Sequence, residues 1–190
     1  MLQNSNYLRN THDLFNFIIL IPLNLFNLMN WKFKNGIIIF DNTYFSKFRI
    51  CCYLYFFIDT IWIWFFPKCV RSPRLLYFHH VLAFAAIYGL KNIEFQKFTS
   101  LSLLVEINTW FLITRRLFNN DYFIRYNKYN NIGIIYNIQI KITSIGFYTS
   151  WIITRLGIMP YVCYHIFRFL YYKKIFINFV AFIFQSIFTL

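Results

Sequence analysis

Residues 50–66 read ICCYLYFFIDTIWIWFF, and the run ends at Pro67. Its only charged residue is Asp59, near the middle. A membrane-spanning helix takes about 20 predominantly apolar residues, with a range of about 17–25. A proline has no N–H to donate to the carbonyl of the preceding turn and closes such a segment. The stretch from Ile50 to Phe66 therefore reads as a transmembrane helix, here called span B. Five more runs of the same kind lie on either side of it. Span A is Leu14 to Met29 and span C is Leu75 to Leu90. Span D is Thr99 to Thr114, stopped by Arg115 and Arg116. Span E is Gly133 to Gly157 and span F is Ile175 to Leu190. Several are short, so their ends are expected to extend by a turn.

The segment Ile158 to Tyr172 is apolar but holds Pro160, His165 and Arg168. It has three readings: a continuation of span E past a kink, an interfacial segment, or a seventh span. The run Ile37 to Phe40 is too short to cross a bilayer. The expected fold is an all-α, multi-pass transmembrane helical bundle of about six spans, with five to seven as the range. There are no internal repeats and no linker. Residues 1–49 hold the first span and its loop, and residues 50–190 the main membrane domain, within one unit.

Composition agrees. The chain is 59% hydrophobic and 24% aromatic, and only 13% of it is charged, against about 25% charged in soluble domains. Phe, Ile, Tyr, Asn and Lys abound, as AT-rich codons would produce, so part of the aromatic excess reflects mutational bias. The net charge is +13. A nucleic-acid-binding domain gathers its cations on one face. Here they sit between apolar runs, at Lys32 and Lys34, Lys68, Arg71 and Arg74, Arg115 and Arg116, and Lys173 and Lys174. That is the pattern of membrane proteins beside lipid headgroups, and no nucleic-acid partner is expected. Cations are divided almost equally between the two sides, so the positive-inside rule does not orient the chain. The four cysteines, Cys51, Cys52, Cys69 and Cys163, show neither metal spacing nor a disulfide framework. They read as small hydrophobes. The first apolar run has no small-residue cleavage site behind it, so no cleavable signal peptide is expected.

A charge inside a membrane helix costs about 2.5–3.5 kcal/mol on insertion scales, and such residues persist where they face the bundle interior and find partners. Span B carries Asp59, span C carries His79 and His80, and span D carries Glu106, Asn108 and Thr109. Span E carries Gln139, Lys141 and, near its far end, Arg155. At ~1.5 Å per residue, Asp59 lies about 10 Å, the histidines about 7 Å and Glu106 about 12 Å from one side. Three helices thus place titratable groups in one slab, with Arg155 near the opposite end. Thr99, Ser102, Glu106 and Thr109 share a helical face, as do Gln139, Thr143, Gly146 and Ser150. His79 shares a face with the small residues Ala83 and Ala86, which let a neighbour approach. His80 points about 100° away, so one histidine can face a cavity while the other bonds a neighbouring helix. The plain alternative is that these groups only hydrogen-bond across helices and fix the packing. No metal is expected, because adjacent helical residues rarely converge on one ion, and no cofactor is implied.

The pieces Asp59, then Tyr77-Phe78-His79-His80-Val81, then Leu104-Val105-Glu106-Ile107-Asn108-Thr109 running into Arg115 and Arg116, then Phe147-Tyr148 with Thr154-Arg155 and Pro160, stand in a telling order. In that order and spacing, over about half the chain, the sequence resembles the TLC family, named for the homology between TRAM, Lag and CLN proteins. Ceramide synthases of that family carry the paired histidines and also a later motif with His-Asp and a following Asp. Here the next histidine is His165 and the next aspartate Asp121, so that motif is missing. The chain is more similar to the smaller TLC proteins. The resemblance implies action in membrane lipid homeostasis by binding, sensing or trafficking lipid, in the endoplasmic reticulum or another endomembrane, with membrane lipids as partners.

A cavity with a polar patch and apolar walls suits such a ligand, with Asp59, Glu106, Asn108, Thr109 and Arg155 as supporting residues. The alternative is an acyltransferase-type enzyme. There His79 or His80 acts as general base or acyl acceptor, and Asp59 or Glu106 sets its tautomer. A proton or ion path ranks third, because the polar slab does not continue across spans A and F. Homodimerisation stays open, with no interface indicated.

Overall fold

The computed structural model describes residues 2–88, 92–118 and 133–173. Among them the chain is mostly helical. Helix α1 runs Leu2–Met29, so it starts well before Leu14. Its N-terminal turns hold His12, Asp13 and Asn16, polar residues that interrupt a hydropathy run but not a helix. Asn30 closes the helix. Its amide side chain donates to the Phe26 carbonyl at 2.8 Å and accepts from the Tyr44 N–H at 3.2 Å, while its carbonyl accepts from the Asp41 N–H at 2.7 Å. One fully buried asparagine thus ties the end of α1 to the segment that follows.

That segment is a β-hairpin, and it departs from an all-helical reading. Strand β1 (Trp31–Lys34) pairs antiparallel with β2 (Ile37–Phe40), Trp31 opposite Phe40 and Lys34 opposite Ile37. The turn is Asn35-Gly36, with φ of 53° and 78°. Two positive φ values in a two-residue loop make a type I′ turn, which Asn-Gly favours strongly. Asp41 then accepts from the Thr43 N–H at 3.0 Å and starts a short 3₁₀ turn, Asn42–Tyr44.

Helix α2 spans Phe45–Phe65. The Phe66 N–H bonds the Trp62 carbonyl, and Pro67 prevents continuation. A 3₁₀ turn at Pro67–Cys69 leads to α3, Pro73–Tyr88, with proline at its first position. Span D is not one helix. Helix α4 (Ile93–Leu103), capped by Asn92, and helix α5 (Val105–Phe118) are separated at Leu104. There the Leu104 N–H bonds the Leu101 carbonyl and the Ile107 N–H bonds the Leu104 carbonyl. This three-residue spacing tightens the chain and breaks the α ladder. At ~1.5 Å per residue, neither α4 nor α5 alone crosses a hydrocarbon core of about 30 Å.

Helix α6 (Gly133–Ile152) passes through a π-helical turn, Ile153–Ile158, straight into α7, Met159–Lys173. Of the three readings of Ile158 to Tyr172, continuation past an irregularity is the one adopted. Span F and the last two residues of span C lie outside the described residues.

Two stretches, Tyr7–Met29 and Asn42–Phe65, are long and apolar enough to cross a membrane. They pack together with α3, α4 and α5 around Leu20, Leu23, Phe48, Phe56, Leu103 and Ile113. A second cluster, Phe98, Val105, Met159, Val162 and Ile166, joins α7 to α4 and α5. Helix α6 lies against α5, where Gly146 faces the Phe111 ring.

The burial pattern is mixed. Nearly as many polar as apolar side chains are buried, including His12, Asp13, Asn16, Asp59, His80 and Glu106. Large apolar side chains point outward in stripes: Leu14, Ile18, Ile21, Leu25 and Leu28 on α1, and Ile50, Leu54, Phe57, Ile61 and Trp64 on α2. Spacings of three and four residues put each stripe on one helical face.

Candidate functional site

Asp59, on the inner face of α2, is 1% exposed. Its Oδ1 lies 2.6 Å from Nε2 of His12 on α1, and its Oδ2 lies 3.3 Å from Nε2 of His80 on α3. One carboxylate therefore joins three helices through two buried imidazoles. As an ionised acceptor, it requires each histidine to present its proton at Nε2.

The Asn16 Nδ2 donor lies 3.5 Å from His12 Nδ1 and 3.3 Å from its Nε2, and with the Nε2 proton given to Asp59 only Nδ1 can accept from it. His80 Nδ1 lies 2.9 Å from the Thr60 hydroxyl, which is also 2.6 Å from the Phe56 carbonyl. Thr60 has one proton and two acceptors for it. When His80 is neutral and protonated at Nε2, the hydroxyl donates to Nδ1. When His80 carries both protons, the hydroxyl turns to Phe56 and accepts from Nδ1–H.

His79 occupies a different place. It is 6% exposed, its ring meets Phe56 edge-on, and its Nδ1 has no hydrogen-bond partner among the described residues. It lines a cleft of about 200 Å³ with Val70, Arg71, Ser72, Leu75 and Leu76. Beside it lies a wider groove of about 700 Å³, bordered by Pro67, Ser72, Pro73, Arg74, Leu75 and Tyr77. The two adjacent histidines thus divide their tasks: His80 bonds α2, and His79 faces the cleft.

Glu106, in the first turn of α5, is buried and accepts a hydrogen bond from the Thr109 hydroxyl. Its backbone carbonyl accepts from Asn24 Nδ2 on α1 at 3.4 Å. Asn108 accepts from the Ser150 hydroxyl at 3.2 Å, joining α5 to α6. Arg155 lies in the π turn that follows α6. Reckoning along straight helices puts Arg155 at the opposite end from Glu106. The Asn108–Ser150 bond, made before the π turn is reached, already sets the end of α6 level with the first turns of α5, so the depth counted from Gly133 does not hold for span E.

Three residues of α1 belong to the slab and carry no signal in a hydropathy run: His12, Asp13 and Asn16. Besides the His12–Asp59 bond, Asp13 accepts from Arg116 of α5 at 2.7 Å. The sequence signal that could have found them is the polar set Thr11, His12 and Asp13 immediately before Leu14, with Asn16 one turn on from His12. Polar groups therefore do extend into the first helix, which removes the reason for ranking a proton path last on that side.

Outside the slab, burial pushes the Cys69 thiol up to about 11, helped by the nearby Asp59 charge, which disfavours its thiolate. At the hairpin, Lys32 and the Thr43 hydroxyl and N–H hold the Asp41 carboxyl down to about 2, and the same bond raises Lys32. Among the described residues no group of three or more His, Cys, Asp or Glu is placed to hold a metal ion. No protein-family model, no curated protein and no solved structure matches this chain.

Proposed function

We propose that the chain is a multi-pass membrane protein of TLC type that holds a lipid against a polar slab inside its bundle, in the endoplasmic reticulum or another endomembrane. The outward apolar stripes, together with the buried polar groups, carry this reading. Burying a Leu or Ile side chain is worth about 1.5–3 kcal/mol in water. The five outward apolar residues of α1 are each about half exposed and together forgo about 4–8 kcal/mol, comparable to the whole stability of a soluble domain. In a bilayer that loss disappears. The buried Asp, Glu, His and Asn side chains then become the groups that must be shielded from hydrocarbon. The order of Asp59, His79-His80, Glu106 and Arg155 along the chain supports the TLC assignment, and the cleft at His79 supports a ligand entering from one interface.

The acyltransferase reading has one observation in its favour. His80 is held by Asp59 and Thr60 at its two nitrogens, whereas His79 Nδ1 has no such partner and lines the cleft. In that chemistry His79 is the group that meets the substrate.

The test is lipid analysis of the full-length protein purified in mild detergent. The lipid-handling reading expects a defined lipid to be retained at near-stoichiometric amount and to be lost in His79→Ala while the protein stays monodisperse. Covalent acyl mass on the peptide containing His79 selects the enzyme. Retention of the same lipid mixture by wild type and His79→Ala refutes both.

A further inference from the structure

The basic, apolar-walled mouth of the cleft is not used by the Asp59 network and has a chemistry of its own. Ser72 and Pro73 open α3, and the first N–H groups of a helix are directed outward with the positive end of its dipole. Ser72, Leu75, Leu76 and His79 follow three- and four-residue spacings, so they form one wall two turns deep. Arg71 and Ser72 stand at the rim of the cleft, and Arg74 lines the adjoining groove. All three are exposed. At the inner end is His79, more than nine-tenths buried, whose Nδ1 has no partner among the described residues. The remaining wall is apolar: Val70, Leu75 and Leu76 in the cleft, with Pro67 and Tyr77 in the groove. Trp64 and Phe65 are exposed at the adjacent end of α2, as aromatic residues are at a membrane interface.

We propose that this mouth binds a phosphate group, with Arg71, Ser72, Arg74 and the start of α3 at its oxygens and His79 at its inner end, and that the phosphate belongs to the headgroup of an anionic phospholipid. Helix N-termini flanked by arginine are suited to phosphate. Free phosphate needs no apolar wall, whereas a lipid headgroup brings chains that would lie along Leu75, Tyr77 and the exposed end of α2. The inference rests on the membrane reading above but not on the TLC assignment, and it names the ligand chemistry that reading leaves open.

Native mass spectrometry of the full-length protein in phosphatidylcholine micelles doped with phosphatidic acid tests it. The expected result is preferential retention of phosphatidic acid. A lysine or arginine near an anionic surface changes affinity by about fivefold, so Arg71→Gln with Arg74→Gln is expected to lower the preference about twentyfold or more. The pair Arg71→Lys and Arg74→Lys should retain most of it, which separates loss of charge from misfolding. Lys34→Gln, on the hairpin, serves as the control and should leave the preference unchanged. Displacement of phosphatidic acid by millimolar inorganic phosphate, dependent on the same arginines, upholds the phosphate site but assigns it to a soluble source.

Equal retention of phosphatidic acid by wild type and the double glutamine variant overturns the proposal. So does an equal drop in Lys34→Gln, because the effect is then general charge. If phosphatidylcholine is still retained in either case, the membrane reading survives. A protein that stays monodisperse without detergent overturns that reading as well.

Discussion

Removing His12 should weaken the bundle more than its position near the start of the chain suggests. In His12→Ala, the Oδ1 of Asp59 loses its 2.6 Å partner, while Oδ2 keeps His80 at the longer distance of 3.3 Å. A hydrogen bond to a charged group contributes about 1.5–3 kcal/mol in soluble proteins. Interhelical bonds in membrane bundles average about 0.6 and reach about 1.7 kcal/mol, because the unfolded chain in lipid or detergent finds other partners. Full stripping of a buried charge costs about 3–5 kcal/mol, but here half of the pairing remains. The expected loss from the bond is therefore about 1.5 kcal/mol, near the upper membrane value. Lost packing adds to it, since the His12 ring also lies 6.2 Å from that of Trp62.

A double-mutant cycle with Asp59→Asn separates the two parts. The amide no longer demands an N–H from both histidines, so His12→Ala should cost about 1 kcal/mol less in that background. Equilibrium unfolding in mixed micelles, driven by an anionic detergent and followed by tryptophan fluorescence, measures each corner. A coupling energy below about 0.3 kcal/mol, within ordinary additivity, would refute the reasoning and reduce His12 to a packing residue.

Two further perturbations follow from contacts elsewhere. A Cβ on Gly146 would lie 2.5 Å from Cε1 of Phe111, so Gly146→Ala sets overpacking of about 1–3 kcal/mol against a helix-propensity gain of about 1 kcal/mol. The net loss expected is about 1 kcal/mol, and in a Phe111→Ala background the sign should reverse; thermal unfolding in detergent reads both, and the same sign in both backgrounds would sink the idea. At the hairpin, the Asp41 carboxyl sits near 2 instead of its usual 3.8. A depressed carboxylate contributes stability that is present above the ordinary pKa and lost as pH falls through the lowered one. Protection of the Thr43 amide, which donates to Asp41, should hold down to about pH 4 and vanish toward pH 2 in hydrogen exchange corrected for intrinsic rates. Loss of protection already at pH 5 contradicts this.

What was legible in the sequence divides along physical lines. Asp59, His79 and His80 stand out because each is set in an apolar run, where a polar side chain must have a partner. His12 does not stand out. A hydropathy run ends at the first charge, whereas a helix continues as long as its backbone bonds are made, so α1 reaches back to Leu2 without any change in the apolar signal. The break at Leu104 is equally silent, since Leu103-Leu104-Val105 contains no glycine or proline and the tightening lies in the backbone bonds alone. The hairpin is the opposite case. Asn35-Gly36 is a strong local signal, and it is missed only when the flanking residues are judged by length against a bilayer.

Depth counted along ideal helices orders residues well within one helix but depends on where each run is taken to begin. The Asn108–Ser150 bond joins α5 to α6 before the π turn is reached, and it sets at one level two residues that the count along spans D and E put about 9 Å and about 26 Å from the same side. In a bundle of this kind, the partner a buried polar group must find is a better guide to its position than its distance from the end of a run. Asp59, with His12 and His80 on its two oxygens, is the case that decides between the two guides.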